Sequence, residues 1–214
     1  MIGSEAEARA WLVDQAAADS AAMARLDLLA ALLREENGRQ NLVSAASLDA
    51  VWQRHVVDSA QLLSFVPEDH AESPWLDLGS GGGFPGLVIA ALRPATKVVL
   101  VESRPLRTQW LERALQAMDL SAARVVTSRL ELVDAFPAAV ISARAFAPLD
   151  KTLRLSARFS TNDTWWLLPK GRAARDELSD LRGWNHMFHV EQSLTSAESG
   201  IIVGTLRQAR RRIP

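Results

Sequence analysis

Met23, Leu26, Ala30 and Leu33 recur at helical spacing and stop at Asn37-Gly38, which predicts a helix closed by a glycine at its C-terminal end. A second helix is expected from Ser47 as N-cap through Trp52, Val56 and Leu63 to Pro67. Residues 1–66 therefore read as a helical N-terminal extension, and Glu68–Pro74 as the polar loop leading into residues 67–214. From Trp75 the period shortens. Apolar runs at Trp75–Leu78, Lys97–Val101, Arg124–Thr127, Ala139–Ser142 and Trp165–Leu168 read as strands. Helical stretches at Gly86–Leu92, Leu106–Met118 and Asp150–Arg158 lie between them. Such alternation predicts an α/β fold, a mostly parallel sheet with helices on both faces. Two last runs, Met187–Leu194 and Gly200–Arg207, have no helix between them and are expected to pair antiparallel at one edge. That makes seven strands, with the extension and the sheet in one compact domain.

Composition narrows the chemistry more than the fold. The 214 residues include no cysteine, which excludes disulfides, zinc–thiolate sites, iron–sulfur clusters and a cysteine nucleophile. Apolar runs such as Leu87–Leu92 are far too short for a membrane span, and the acidic start Met1–Glu7 lacks a cationic, then apolar, leader pattern. A cytoplasmic protein is expected. The net charge of −1 conceals an asymmetry: residues 93–175 hold fourteen Lys/Arg against seven acids. A polyanionic partner answers to such a local basic stretch rather than to the overall charge, although an Arg-rich coding bias would leave the same mark.

The sharpest motif runs from Trp75 to Gly86, Trp-Leu-Asp-Leu-Gly-Ser-Gly-Gly-Gly-Phe-Pro-Gly, at the end of a strand and the start of a helix. Glycines there let the backbone turn tightly and approach a ligand closely. Glu102 ends the next strand, nineteen residues after Gly83, where a carboxylate can accept the two ribose hydroxyls of an adenosine. Read as Gly81-x-Gly83-x-x-Gly86, the loop fits a dinucleotide and hydride transfer. Read from Asp77 through Gly79, Gly81 and Gly83, it resembles motif I of S-adenosylmethionine (SAM) methyltransferases. Asp77 then either orders the loop or meets the ligand's amino group. The second register is favoured, because an acid at that point suits a cationic ligand and repels a diphosphate.

Several blocks in order resemble the glucose-inhibited division protein B family: Asn41-Leu42-Val43-Ser44, Arg54–Ser59, Leu78–Gly86, Glu102–Arg107, Ser128–Glu131, Ser142–Ala147 and Pro169-Lys170-Gly171. The resemblance implies a Rossmann-like class I SAM-dependent methyltransferase that modifies guanine N7 in 16S rRNA of the small ribosomal subunit, acting as a monomer. It also implies SAM contacts at Gly79 and Phe84, Leu130 and Glu131 beside the adenine, and Arg144 at the site. Glu102 stands where Asp is frequent in the family, and Ala143 is an extra residue before Arg144. The expected cofactor-binding set is then Asp77, Gly79, Gly81, Gly83, Phe84, Glu102, Leu130, Glu131 and Arg144, with SAM as the cofactor. Two rival readings stand beside it: a SAM-dependent methyltransferase of another substrate, and a SAM- or NAD-binding ribosome assembly factor without catalysis.

Guanine N7 carries a bare lone pair, so its methylation removes no proton and no general base is required. Holding N7 in line with the methyl–sulfur bond can by itself supply roughly 7–11 kcal/mol. No Asn/Asp-Pro-Pro-aromatic grip for an exocyclic amine follows the fourth strand; Ser142-Ala143-Arg144-Ala145-Phe146 stands there instead. Arg144 is the candidate positioning group, on the SAM carboxylate, an RNA phosphate or guanine O6. Phe146 offers either a stacking face or core packing. Arg104, Arg107 and Lys170 are the candidate RNA contacts, and for Lys170 a solvated surface role competes.

Arg54, His55, Asp58 and Ser59 share one turn of the extension. There Arg54–Asp58 reads as a surface ion pair worth about 0.3–0.5 kcal/mol. His55 reads as a buried structural histidine that docks the extension on the rim of the site. His186 and His189 would share a face if their segment were helical, but no third ligand accompanies them, and no metal is assigned. Trp165 and Trp166 alternate across a strand, so one of them belongs to the core. Arg210–Arg212 reads as a solvated terminus or a further RNA contact.

Overall fold

The computed structural model describes residues 1–67 and 74–207, so most of the expected Glu68–Pro74 loop and the Arg210–Arg212 tail lie outside the described residues. Its first element is a helix not foreseen from the apolar period, α1 (Glu5–Asp14). A capping box starts it: the Ser4 hydroxyl accepts from the Glu7 amide, and the Glu7 carboxylate accepts from the Ser4 amide. Helix α2 (Ser20–Asn37) follows as the period predicts and ends at Gly38.

The second expected helix is a broken one. Its cap is Ser44, not Ser47, and it yields a short α3 (Ala45–Asp49) that stops at Ala50. A π-helical turn (Trp52–Val57), a single turn α4 (Asp58–Ala60) and a 3-10 turn (Gln61–Phe65) carry the chain onward. Tertiary packing overrides the period here. The wider turn buries Trp52, His55, Val56 and Val57 together, and Arg9 of α1 stacks over the Trp52 ring at 3.8 Å.

Strands β1 (Trp75–Leu78), β2 (Val98–Glu102), β3 (Arg124–Thr127), β4 (Ala138–Ala143), β5 (Ser160–Lys170), β6 (His189–Gln192) and β7 (Gly200–Thr205) form one sheet in the order β3-β2-β1-β4-β5-β7-β6. All pairs are parallel except those of β7, which runs antiparallel to both β5 and β6. The sheet is therefore the expected seven-stranded, mostly parallel one, with β7 inserted beside β5 and β6 at the edge. Strand β5 is longer than its apolar run, with Trp166 in the core and Trp165 half-buried.

Helices α5 (Gly86–Leu92), α6 (Pro105–Ala117), α7 (Leu149–Ser156) and α8 (Ala174–Ser179) complete the layers. Every residue of α5 is buried, because it lies between the sheet and the extension. Leu12, Leu26, Leu33 and Trp52 share a core with Leu87, Val98 and Trp110, so the extension covers one face of the sheet. Arg25 reinforces the contact by donating to the Ala91 carbonyl at 2.8 Å. The carboxyl ends of β1, β2, β4 and β5 thereby open toward the 41–58 segment. Among the described residues no helix is long and apolar enough to cross a membrane.

Candidate functional site

Asp77 lies in β1 between Leu100 of β2 and Ser142 of β4 and is wholly buried. Its Oδ1 accepts from the Ser142 hydroxyl at 2.8 Å, and that hydroxyl oxygen accepts from the Trp75 indole N–H at 2.8 Å. Burial pushes the Asp77 carboxyl up to about 6, against the pull of the Ser142 hydroxyl and the charge of Arg144. Its Oδ2 has no hydrogen-bond partner and faces Gly86, where a Cβ would come within 2.8 Å of that oxygen. Only glycine fits there, so Gly86 is required by packing at the start of α5.

Gly79, Gly81 and Gly83 all take positive φ, and a Cβ at Gly83 would meet Leu87 at 2.3 Å. The loop they form is clamped from three sides. The Gly81 amide donates to Glu102 Oε2 at 3.0 Å, the Trp110 indole donates to the Gly82 carbonyl at 3.2 Å, and the Phe146 ring lies against Gly79. Glu102 Oε1 also accepts from the Ser103 and Arg104 amides at 2.7 and 2.9 Å. A carboxylate offers about four acceptor directions, so three are engaged and about one remains for a ribose hydroxyl rather than the two expected.

A cavity of about 350 Å³ opens beside this loop. Gly79, Glu102, Leu130 and Glu131 come together in its lining with the apolar Val101 and Phe146. The Glu102 acceptor, the glycine backbone beside it and the apolar side chains of the lining suit a nucleoside such as the adenosine of SAM. Asp77, Gly81 and Gly83 shape the loop without lining this cavity. Phe84 does not line it either: its buried ring stacks on His55 with centroids 4.7 Å apart. Arg104 and Arg107, the candidate RNA contacts, line this same cavity, Arg107 Nη1 lying 4.0 Å from Glu102 Oε2.

A second cavity, about 420 Å³, meets the first at Ala145, a residue held at φ +53°. Arg144 lines this second cavity, and its guanidinium is engaged with the extension. Nη1 donates to the Arg54 carbonyl at 3.1 Å and lies 3.4 Å from Asp58 Oδ2, while Nη2 sits 2.9 Å from His55 Nδ1. These partners tie Arg144, an expected cofactor contact, to the extension. The Arg54–Asp58 pairing is replaced: Asp58 takes Arg144, and its Oδ1 accepts from Gln61 and Thr195 at 3.1 Å each.

His55 is buried, and burial with the charges of Arg144 and Arg54 pushes its imidazole down to about 3. It is neutral, and because Arg144 can only donate, its Nδ1 accepts and its proton sits on Nε2, which is buried without a partner. Lys170 donates to the Ala147 carbonyl at 2.6 Å and lies 2.9 Å from Glu177 Oε2, so its charge is neutralised inside the protein. His186 and His189 lie on extended chain, not on a helix. Phe146 packs against the core, as one of its two expected roles has it, and also lines the first cavity.

Two contributors escape sequence reading. Asn37, read only as a helix end, accepts from the Leu42 and Val43 amides at 2.9 Å and so fixes the turn that presses on Gly82. The Trp110 clamp was equally hidden, since an indole N–H leaves no mark in a helical period.

A sequence model of the GidB family, rRNA small subunit methyltransferase G, matches residues 22–200. Ribosomal RNA small subunit methyltransferase G of Novosphingobium aromaticivorans is 56% identical over 212 residues, 99% of this chain and 92% of the relative. The protein of the same name from Erythrobacter litoralis is also 56% identical, over 95% of this chain and 97% of its own length. Among solved structures, the putative methyltransferase yhhF from Escherichia coli superposes with a TM-score of 0.55 at 15% identity, covering 71% of this chain and 87% of that one. An MtNAS mutant in complex with S-adenosylmethionine gives 0.59 at 14% identity, over 96% and 84% of the two chains. At such identities these two show the fold alone.

Proposed function

This chain belongs to the GidB family of rRNA small subunit methyltransferases G, and from that premise we propose that it methylates N7 of a guanine in 16S rRNA. It is a SAM-dependent methyltransferase acting on small-subunit rRNA. The finer assignment to guanine N7 is supported by one observation above all. The two groups of the second cavity that would take a proton, His55 and Asp58, are both engaged by Arg144. Guanine N7 asks for none, since its lone pair is already free.

SAM, when bound, supplies the electrophilic methyl group. Glu102 holds the ribose end, while Gly79 and the 130–131 turn enclose the adenosine in the first cavity. Asp77 keeps β1 and β4 tied through Ser142, which sets the glycine loop against the cavity. The second cavity, on the β4–β5 side, receives the acceptor, the place ligands take beyond the carboxyl ends of parallel strands. Its walls hold the base in line, so catalysis rests on proximity and orientation. We further propose that the enzyme acts in the cytoplasm, as a monomer, on the small subunit or its RNA. The test is a strain deleted for its own member of this family. Expression of this chain restores one 7-methylguanosine to digested 16S rRNA; a different methylated nucleoside overturns the N7 assignment.

A further inference from the structure

Three cations line the second cavity, and two of them are engaged. Lys170 is paired with Glu177, and Arg144 with Asp58, His55 and the Arg54 carbonyl. Arg54 is the third. Its side chain is exposed, and among the described residues no hydrogen bond or ion pair ties its guanidinium. The backbone beneath it is a π-helical turn, a rare conformation concentrated at functional sites. Arg144 pins that turn through the Arg54 carbonyl, so a half-buried guanidinium fixes the position of an exposed one.

We infer that Arg54 binds a backbone phosphate of the target nucleotide at the mouth of the second cavity, and that Arg144 is a positioning residue that holds the Arg54 turn. The inference rests on the reading of small-subunit RNA as substrate. A planar guanidinium matches two phosphate oxygens at once, which a lysine cannot do. The base must leave its stack to reach the methyl group, and a phosphate grip at the cavity mouth holds the strand while it does so. Ser199 in the lining offers a hydroxyl to the edge of the base, while Ser44 and Ser47 bond to each other at the start of α3.

Small subunits purified from a strain lacking this methylation provide the substrate, and binding and methyl transfer are measured at several salt concentrations. Arg54→Ala raises KM for the subunits roughly ten- to hundredfold, changes kcat far less and leaves SAM affinity intact. It also flattens the log–log salt slope by about 0.7–0.9, the loss of one phosphate contact. Arg54→Lys restores the slope and only part of the affinity, whereas Lys170→Met leaves the slope unchanged. Wild-type KM and slope in Arg54→Ala, or a slope change in Lys170→Met with none in Arg54→Ala, overturns the assignment. Wild-type protein that binds SAM yet transfers nothing to the subunits overturns the functional reading itself, and this assignment with it.

Discussion

Arg144 and Asp58 form an ion pair in the wall of the second cavity, Nη1 to Oδ2 at 3.4 Å, and join the end of β4 to the extension. Both side chains are largely shielded, at 22% and 17% exposure, so removing one charge leaves the other poorly solvated.

Asp58→Ala is therefore expected to cost about 2–4 kcal/mol in urea unfolding. Asp58→Asn keeps an oxygen for Gln61 and Thr195 and loses only the charge, so it should cost clearly less. Equal losses for the two would mean that the charge of Asp58 carries the whole effect and its hydrogen bonds to Gln61 and Thr195 contribute nothing.

The glycine loop separates two substitutions that look alike in sequence. At Gly81 a Cβ would meet Arg107 Nη1 at 3.4 Å, whereas at Gly83 it would overlap Leu87 at 2.3 Å. Gly81→Val should stay folded, paying roughly 1–3 kcal/mol for its positive φ, and lose SAM binding. Gly83→Val should fail to fold. Circular dichroism with calorimetric SAM titration checks both, and a folded, SAM-binding Gly83→Val would contradict the packing argument.

Glu102 acts on the ligand and on the loop together. Glu102→Ala removes the acceptor for the Gly81, Ser103 and Arg104 amides. SAM should bind about 1–3 kcal/mol more weakly, and the melting temperature without SAM should fall too. A variant with wild-type melting and weakened SAM would show that the carboxylate contacts the ligand alone.

Asp77 and His55 give opposite pH dependences. The folded-state pKa of Asp77 is raised to about 6, so its contribution is most favourable at low pH and is lost as pH rises from about 4 to 6. That of His55 is depressed to about 3, so its contribution is complete above about 6.5 and is lost as pH falls toward 3. The two partly cancel between pH 4 and 6. Asp77→Asn should therefore gain stability over wild type as pH rises through that window, by up to roughly 3 kcal/mol. Denaturant midpoints at pH 4 and 7 measure it; a difference that does not change with pH would place the Asp77 carboxyl at its ordinary value.

Most of the sheet was legible because its signals are local. Arg124–Thr127 and Gly86–Leu92 match their apolar runs residue for residue, and the tail pair emerged from the lack of a helix between two runs. The Ser4–Glu7 capping box also stands in the sequence, but the helix behind it is too weakly periodic to be predicted from its apolar positions. The extension misled at Ser47, where two serines three apart both suit a cap and burial of Trp52 decided the break. At the site, Glu102 and the glycines follow from spacing along one βαβ unit. The direction of Arg144 does not. It depends on a positive φ at Ala145 and on docking with residues 86 and more positions away, and neither is written in its neighbours.

The central claim is tested most directly by incubating the purified protein with methyl-labelled SAM and either naked 16S rRNA or small subunits that lack the modification. Digestion of the RNA and mass spectrometry of its nucleosides then locate the label. The account predicts about one methyl group per 16S rRNA molecule, recovered as 7-methylguanosine. Label recovered at any other base position, or no label in either RNA while SAM still binds, would contradict it.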